Sequence, residues 1–256
     1  MIRTFFLFAT IFICAVSKAL FAGDSAVGRF VEVTSYCANA TETAEFADQH
    51  IARLCAEFDY SPKQWRRTPV VIHANRPGYG EGFAETVFGG GEQYCGRVEI
   101  KENFPEALRH ALPHELTHTW VAYSVRFPFA LFLNESLASS QESPDHVRDN
   151  ILKCAELRRA GKLKRPFAYL NQNISLPIRS PHEMENIREY YAAACAFASF
   201  CYELPGGKPN YLRFCSRLSG RVPVSQADFQ KAILDFYGFG SEDDFNAAFY
   251  LWVESR

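Results

Sequence analysis

The stretch Ala111-Leu112-Pro113-His114-Glu115-Leu116-Thr117-His118-Thr119-Trp120 decides how this chain is read. It contains His-Glu-x-x-His. On a helix, side chains four apart lie one above the other, so His114 and His118 present two imidazoles to one point. That placement suits a zinc ion, which takes His nitrogens at about 2.0–2.1 Å. Glu115 lies about 100° round the helix from His114, where it can reach a water on that ion without displacing it. Two ligands and a general base on one helix are the pattern of a zinc hydrolase.

A catalytic zinc needs a third protein ligand and an open position. His110 shares the face of His114 but precedes Pro113, and His146 and His182 fall in stretches read as loops. Glu135, in Leu133-Asn134-Glu135-Ser136-Leu137-Ala138, is the better candidate. A turn at 125–130 between two antiparallel helices brings it back beside the histidines. The competing reading of Glu135 is a carboxylate placed near a helix N-terminus by the dipole.

With Asn134-Glu135-Ser136-Leu137-Ala138 following the His-Glu-x-x-His, the sequence resembles the gluzincin metallopeptidases, the thermolysin-like group whose third zinc ligand is a glutamate on the next helix. The later stretch from Tyr190-Tyr191-Ala192 to Leu204-Pro205-Gly206-Gly207 is similar to small secreted bacterial peptidase MA-like proteins. The resemblance covers roughly 98–252. It implies His114, His118 and Glu135 as zinc ligands, Glu115 as base and acid, and a tyrosine hydroxyl steadying the oxyanion, Tyr191 first and Tyr190 next. The strand at 98–100 would then be a sheet edge that pairs with an extended peptide. In one respect the chain departs from the family. The position four after the glutamate ligand, acidic in thermolysin-like enzymes and orienting the first histidine, is Ser139, so a different acceptor must serve.

Composition narrows the partners. The chain has 256 residues, 48% hydrophobic and 15% aromatic, which is the make-up of a packed protein. A formal net charge of −2 with no block of like charges argues against nucleic acid. Residues 1–22 read as a signal peptide, with Arg3 ahead of a short apolar run. Cleavage is expected after Ala22, with Ala19 as the alternative and an uncleaved anchor as another. The protein is therefore expected to be secreted or periplasmic, with no stable membrane insertion once the signal is removed. Seven cysteines remain beyond Cys14 and are expected to form disulfides in an exported chain, with at least one left over.

Periodicity supplies the rest. Strands are expected at 28–36, 69–73 and 98–100, and a helix at 40–58. The glycine-rich 75–91 reads as a mobile loop, and His73 as a capping or packing residue. Asn103 caps a helix that either continues through Pro113 with a kink or restarts there. From 132 onward the pattern is almost all helical, with candidates at 132–141, 151–160, 184–203, 211–219, 226–237 and 243–254. This is an α+β layout: a small N-terminal mixed sheet with helices, the zinc helix packed on it, and a C-terminal helical lobe. Residues 23–256 read as one metallopeptidase-like domain, with a sheet lobe at 23–125 and a helical lobe at 126–256. The expected function is a zinc peptidase acting on peptide or protein substrates. The alternatives are a secreted zinc-containing binding protein without turnover and a purely disulfide-built structural domain.

Overall fold

In the computed structural model, residues 23–73, 82–89, 92–101, 109–125, 129–172, 181–220 and 223–256 are described. Among them lie β1 (Asp24–Val27), β2 (Val31–Ser35), α1 (Ala40–Glu57), β3 (Thr68–Ile72), β4 (Gly82–Gly89) and β5 (Glu92–Ile100). Helices then follow one another: α2 (Ala111–Ser124), α3 (Leu131–Ser139), α4 (Pro144–Arg159), α5 (Pro166–Leu170), α6 (Pro181–Glu203), α7 (Gly207–Leu218), α8 (Gln226–Tyr237) and α9 (Glu242–Glu254). The α+β layout is as expected.

Alternation along the strands builds the sheet. Val31, Val33 and Ser35 are buried while Glu32 is exposed, and Thr68, Val70 and Ile72 are buried while Pro69 is exposed. One face is thus apolar, and the register stacks Val33, Val70 and Val98 across it. The strand order is β1-β2-β3-β5-β4, with β2, β3 and β5 parallel and β1 and β4 antiparallel to their neighbours. A register shift opposite Glu85/Thr86 leaves Gly96 as the extra residue. It explains how Cys95 and Val98, three apart, both face inward. Two helices cover the apolar face, α1 over β1 and β2 and α2 over β4 and β5, and they touch each other.

These strands correct three expectations. Residues 82–89, read as part of a mobile loop, form β4, and β5 is nine residues long where only 98–100 were expected. The strand at 98–100 is therefore not an edge: β4 stands outside it and ends the sheet. His73 packs as expected. Its N–H donates to the Ile100 carbonyl at 2.9 Å, its ring stacks on Tyr36, and Nε2 lies 3.3 Å from Glu99.

The helical part is organised around α6. From Tyr190 to Ala198 it is apolar on all sides, which suits only a buried helix. Its alanines let α3 and α4 pack close, and α7 and α9 close the remaining sides. Gly206 starts α7 at φ +87°, and a Cβ there would lie 2.7 Å from Asn210. Glycine leaves room for Asn210 to donate to the carbonyls of Pro205 and Phe236. Helix α4 begins at Pro144, earlier than expected, so His146 sits in its first turn and not in a loop. The short α5 has no counterpart in the expected pattern.

The cysteines also need correction. All seven described ones are free thiols. Cys95, Cys154, Cys195, Cys201 and Cys215 are each buried within a strand or helix core, where a thiol packs as a small hydrophobe. The expected signal at 1–22, the helix from Asn103 and the turn at Phe127-Pro128 lie outside the described residues. Among the described residues no helix is long and apolar enough to cross a membrane.

Candidate metal centre

Helix α2 has two working faces. Leu112, Leu116 and Trp120, four apart, are all fully buried. Trp120 packs on Phe58 with ring centroids 5.0 Å apart. His114 and His118 lie two positions on from that stripe, hence about 200° round the helix. The apolar side anchors the helix to the core while the imidazoles face the other way. Pro113 sits in the first turn, where its missing N–H would have no intrahelical partner in any case. The described helix begins at Ala111.

Helix α3 packs back against α2 and brings Glu135 to the histidines. The three donor atoms form a small triangle. His114 Nε2 and His118 Nε2 are 3.1 Å apart, and Glu135 Oε2 lies 3.2 Å from the first and 3.5 Å from the second. A tetrahedral ion with ligand arms of about 2.0–2.1 Å has edges of about 3.3 Å. The triangle has about the size of one face of such a tetrahedron, and the three residues could hold a metal ion. Two imidazoles and one carboxylate are also the donor number of an open site, with a fourth position left over.

The acceptor missing at Ser139 is found three residues later. His114 Nδ1 lies 2.7 Å from Glu142 Oε1, and Glu142 Oε2 lies 2.6 Å from His146 Nδ1. Glu142 stands in the turn between α3 and α4, and His146 at the start of α4. A chain His114–Glu142–His146 thus fixes the first imidazole from behind. Ser139 is buried against α6, where its carbonyl accepts from the Cys195 thiol. Reading four positions along a helix misses Glu142 because α3 ends at Ser139. The signal that could have found it is simple: Glu142 is the next carboxylate after Glu135 in the chain. His118 has no such support, as its buried Nδ1 has no described partner.

The charges are mutually dependent. Burial pushes the His114 imidazole down, but the hydrogen bonds to Glu135 and Glu142 outweigh it and hold it well above its usual value. His118 is likewise lowered by burial and raised overall by Glu135. Burial alone would raise Glu135, yet His118 and His114 hold it far below the carboxylate range. For Glu142, burial is outweighed by His114 and His146, and the carboxyl sits low. Glu135 and Glu142 thus favour the charged form of the imidazoles.

Glu115 is buried on the adjoining face of α2, and burial raises its carboxyl against the pull of His114 and His118. Tyr191 of α6 fronts the centre, its ring 6.1 Å from that of His114. Burial, and then Glu135, push its hydroxyl far up, so it stays protonated. Tyr190 is fully buried between Phe132 and Tyr169, and its hydroxyl has no described partner. Of the two tyrosines named from the sequence, Tyr191 is the one beside the ligands.

No protein-family model matches the sequence, and no curated protein does. A solved structure is similar. It is a variant of an M1 zinc metallopeptidase from Deinococcus radiodurans, with TM-score 0.42 and 18% identity, covering 91% of this chain and 52% of that one. The chain thus spans about half the length of that enzyme.

Proposed function

We propose that the protein is an exported zinc metallopeptidase of the gluzincin type, with His114, His118 and Glu135 as ligands. The supporting observation is the triangle of 3.1, 3.2 and 3.5 Å between their donor atoms, with Glu115 buried on the next face. Zinc, when bound there, lowers the pKa of a water ligand to about 7 and polarises a carbonyl.

The chain's own residues do the remainder. Glu115, its carboxyl raised by burial, takes the proton of the attacking water and passes it to the departing amine. Tyr191 keeps its proton and donates a hydrogen bond to the oxygen on which negative charge develops. Tyr190, the second candidate from the sequence, supports Tyr191 by packing beside it. Glu142 and His146 hold the His114 ring in one orientation. The last strand of the sheet, β4, packs against α2 and offers its outer backbone to an extended peptide.

Zinc binding without turnover draws support from Ser139 and from the small size of the chain. The first ground weakens, because Glu142 stands 2.7 Å from His114 Nδ1 as an acceptor. The test is cleavage of a peptide library by the purified full chain with zinc. Activity should vanish with a chelator and return with zinc. Glu115→Gln should keep one zinc per chain and lose about 10²–10⁴-fold in rate. Wild-type turnover by that variant would refute the mechanism.

A further inference from the structure

A cavity of 360 Å³ opens on the α1 side of α2, against the turn that carries Glu142. Phe46 and Pro113 give it apolar walls, and Arg53 and Arg109 stand over them. Among the described lining residues two guanidiniums stand against one carboxylate, Glu142. Glu57 is shared between Arg53 at 3.2 Å and Lys208 at 2.6 Å, one carboxylate against two cations. The exposed Arg109 guanidinium has no partner among the described residues, and only its backbone carbonyl is engaged, by the Ser143 N–H at 2.7 Å. Glu142, the acid in the wall, has its two oxygens held by His114 and His146. Ser143 is the N-cap of the 16-residue α4 and also lines the cavity, adding the positive end of a helix.

We infer that this cavity binds a small organic carboxylate, separately from the metal centre. Arg109 offers a fork of N–H groups matched to two carboxylate oxygens. Phe46 and Pro113 receive an apolar body. The volume lies at the small end of ligand cavities, about 300–1,000 Å³, which suits one ring or a branched chain and excludes a folded peptide. Occupancy is felt at the metal centre, because Pro113 adjoins His114 and Glu142 orients it. That coupling rests on the proposed metal site, whereas the binding itself does not.

The experiment is calorimetric titration of the metal-free full chain with 3-phenylpropionate, acetate and inorganic phosphate. The first should bind at least about tenfold more tightly than the other two, since only it fills the apolar walls. Arg109→Ala should weaken it by about tenfold or more, and Arg109→Lys by less. Arg109 is exposed, so both variants keep the fold. No binding, equal affinity for the three anions, or an unchanged Arg109→Ala variant would overturn the site. Zinc affinity should then shift by at least about threefold when phenylpropionate is saturating. Identical zinc affinity would overturn the coupling. Because the first titration uses neither zinc nor turnover, its failure and that of the peptidase assay are separate results.

Discussion

Glu142→Gln is the substitution that most directly probes how the first histidine is held. In the native chain Glu142 Oε1 lies 2.7 Å from His114 Nδ1, and its side chain is only 7% exposed. Glutamine keeps the shape but removes the charge, so the imidazole loses a charge-assisted acceptor and gains a neutral one. Losing such an outer partner costs about 10–100-fold in metal affinity, or about 1.4–2.8 kcal/mol at 1.4 kcal/mol per decade. Ser139→Ala is the comparison, because that hydroxyl has no described hydrogen-bond partner. Zinc affinity of the three proteins at pH 7.4, read by competition with a chromophoric chelator, should follow wild type, equal to Ser139→Ala, far above Glu142→Gln. If Glu142→Gln binds zinc within about twofold of wild type, the orienting role is wrong.

Glu135→Ala should remove stoichiometric zinc binding, measured by metal analysis after dialysis, because two imidazoles alone leave an incomplete site; retained zinc would reject Glu135 as a ligand. Trp120→Ala should cost about 3–5 kcal/mol in urea unfolding, as expected for a fully buried indole, and a loss below about 1 kcal/mol would show that α2 is anchored elsewhere. His50 is held to about 3 by burial and then Arg53, so the unfolded chain takes up a proton there that the folded chain refuses. Its stability contribution is complete above about pH 6.5 and is lost as pH falls towards 3, by at most about 1.4 kcal/mol per pH unit. His50→Gln should flatten that slope in unfolding measured from pH 7 to 4, and an unchanged slope would refute the assignment. Residues 23–256, unfolded without reductant, should titrate for seven thiols; a count of five or fewer would show that the chain pairs its cysteines.

The helices that carry the candidate ligands are legible in the sequence because their signals are local. Four-residue spacing places His114 and His118 on one face, and α8 runs over 226–237 as its pattern requires. What escapes is non-local. Residues 82–89 carry Phe83, Val87 and Phe88, but flanking glycines hide them until β5 is there to pair with. Glu142 reaches His114 from a turn, beyond any helical repeat. Pairing the cysteines rests on compartment alone, whereas a disulfide also requires two thiols to face each other. Tyr190 and Tyr191 are neighbours in sequence, and only the packing of α6 tells which of them meets the histidines.

The leucine and tryptophan stripe on the back of α2 means that both imidazoles are held by ordinary core packing, with no ion needed to shape the helix. Removing the metal should thus leave a folded protein and not a collapsed one, unlike small domains that exist only when loaded. If the centre holds an ion, it should empty and refill without unfolding, and its occupant should follow whichever divalent ion the surroundings supply.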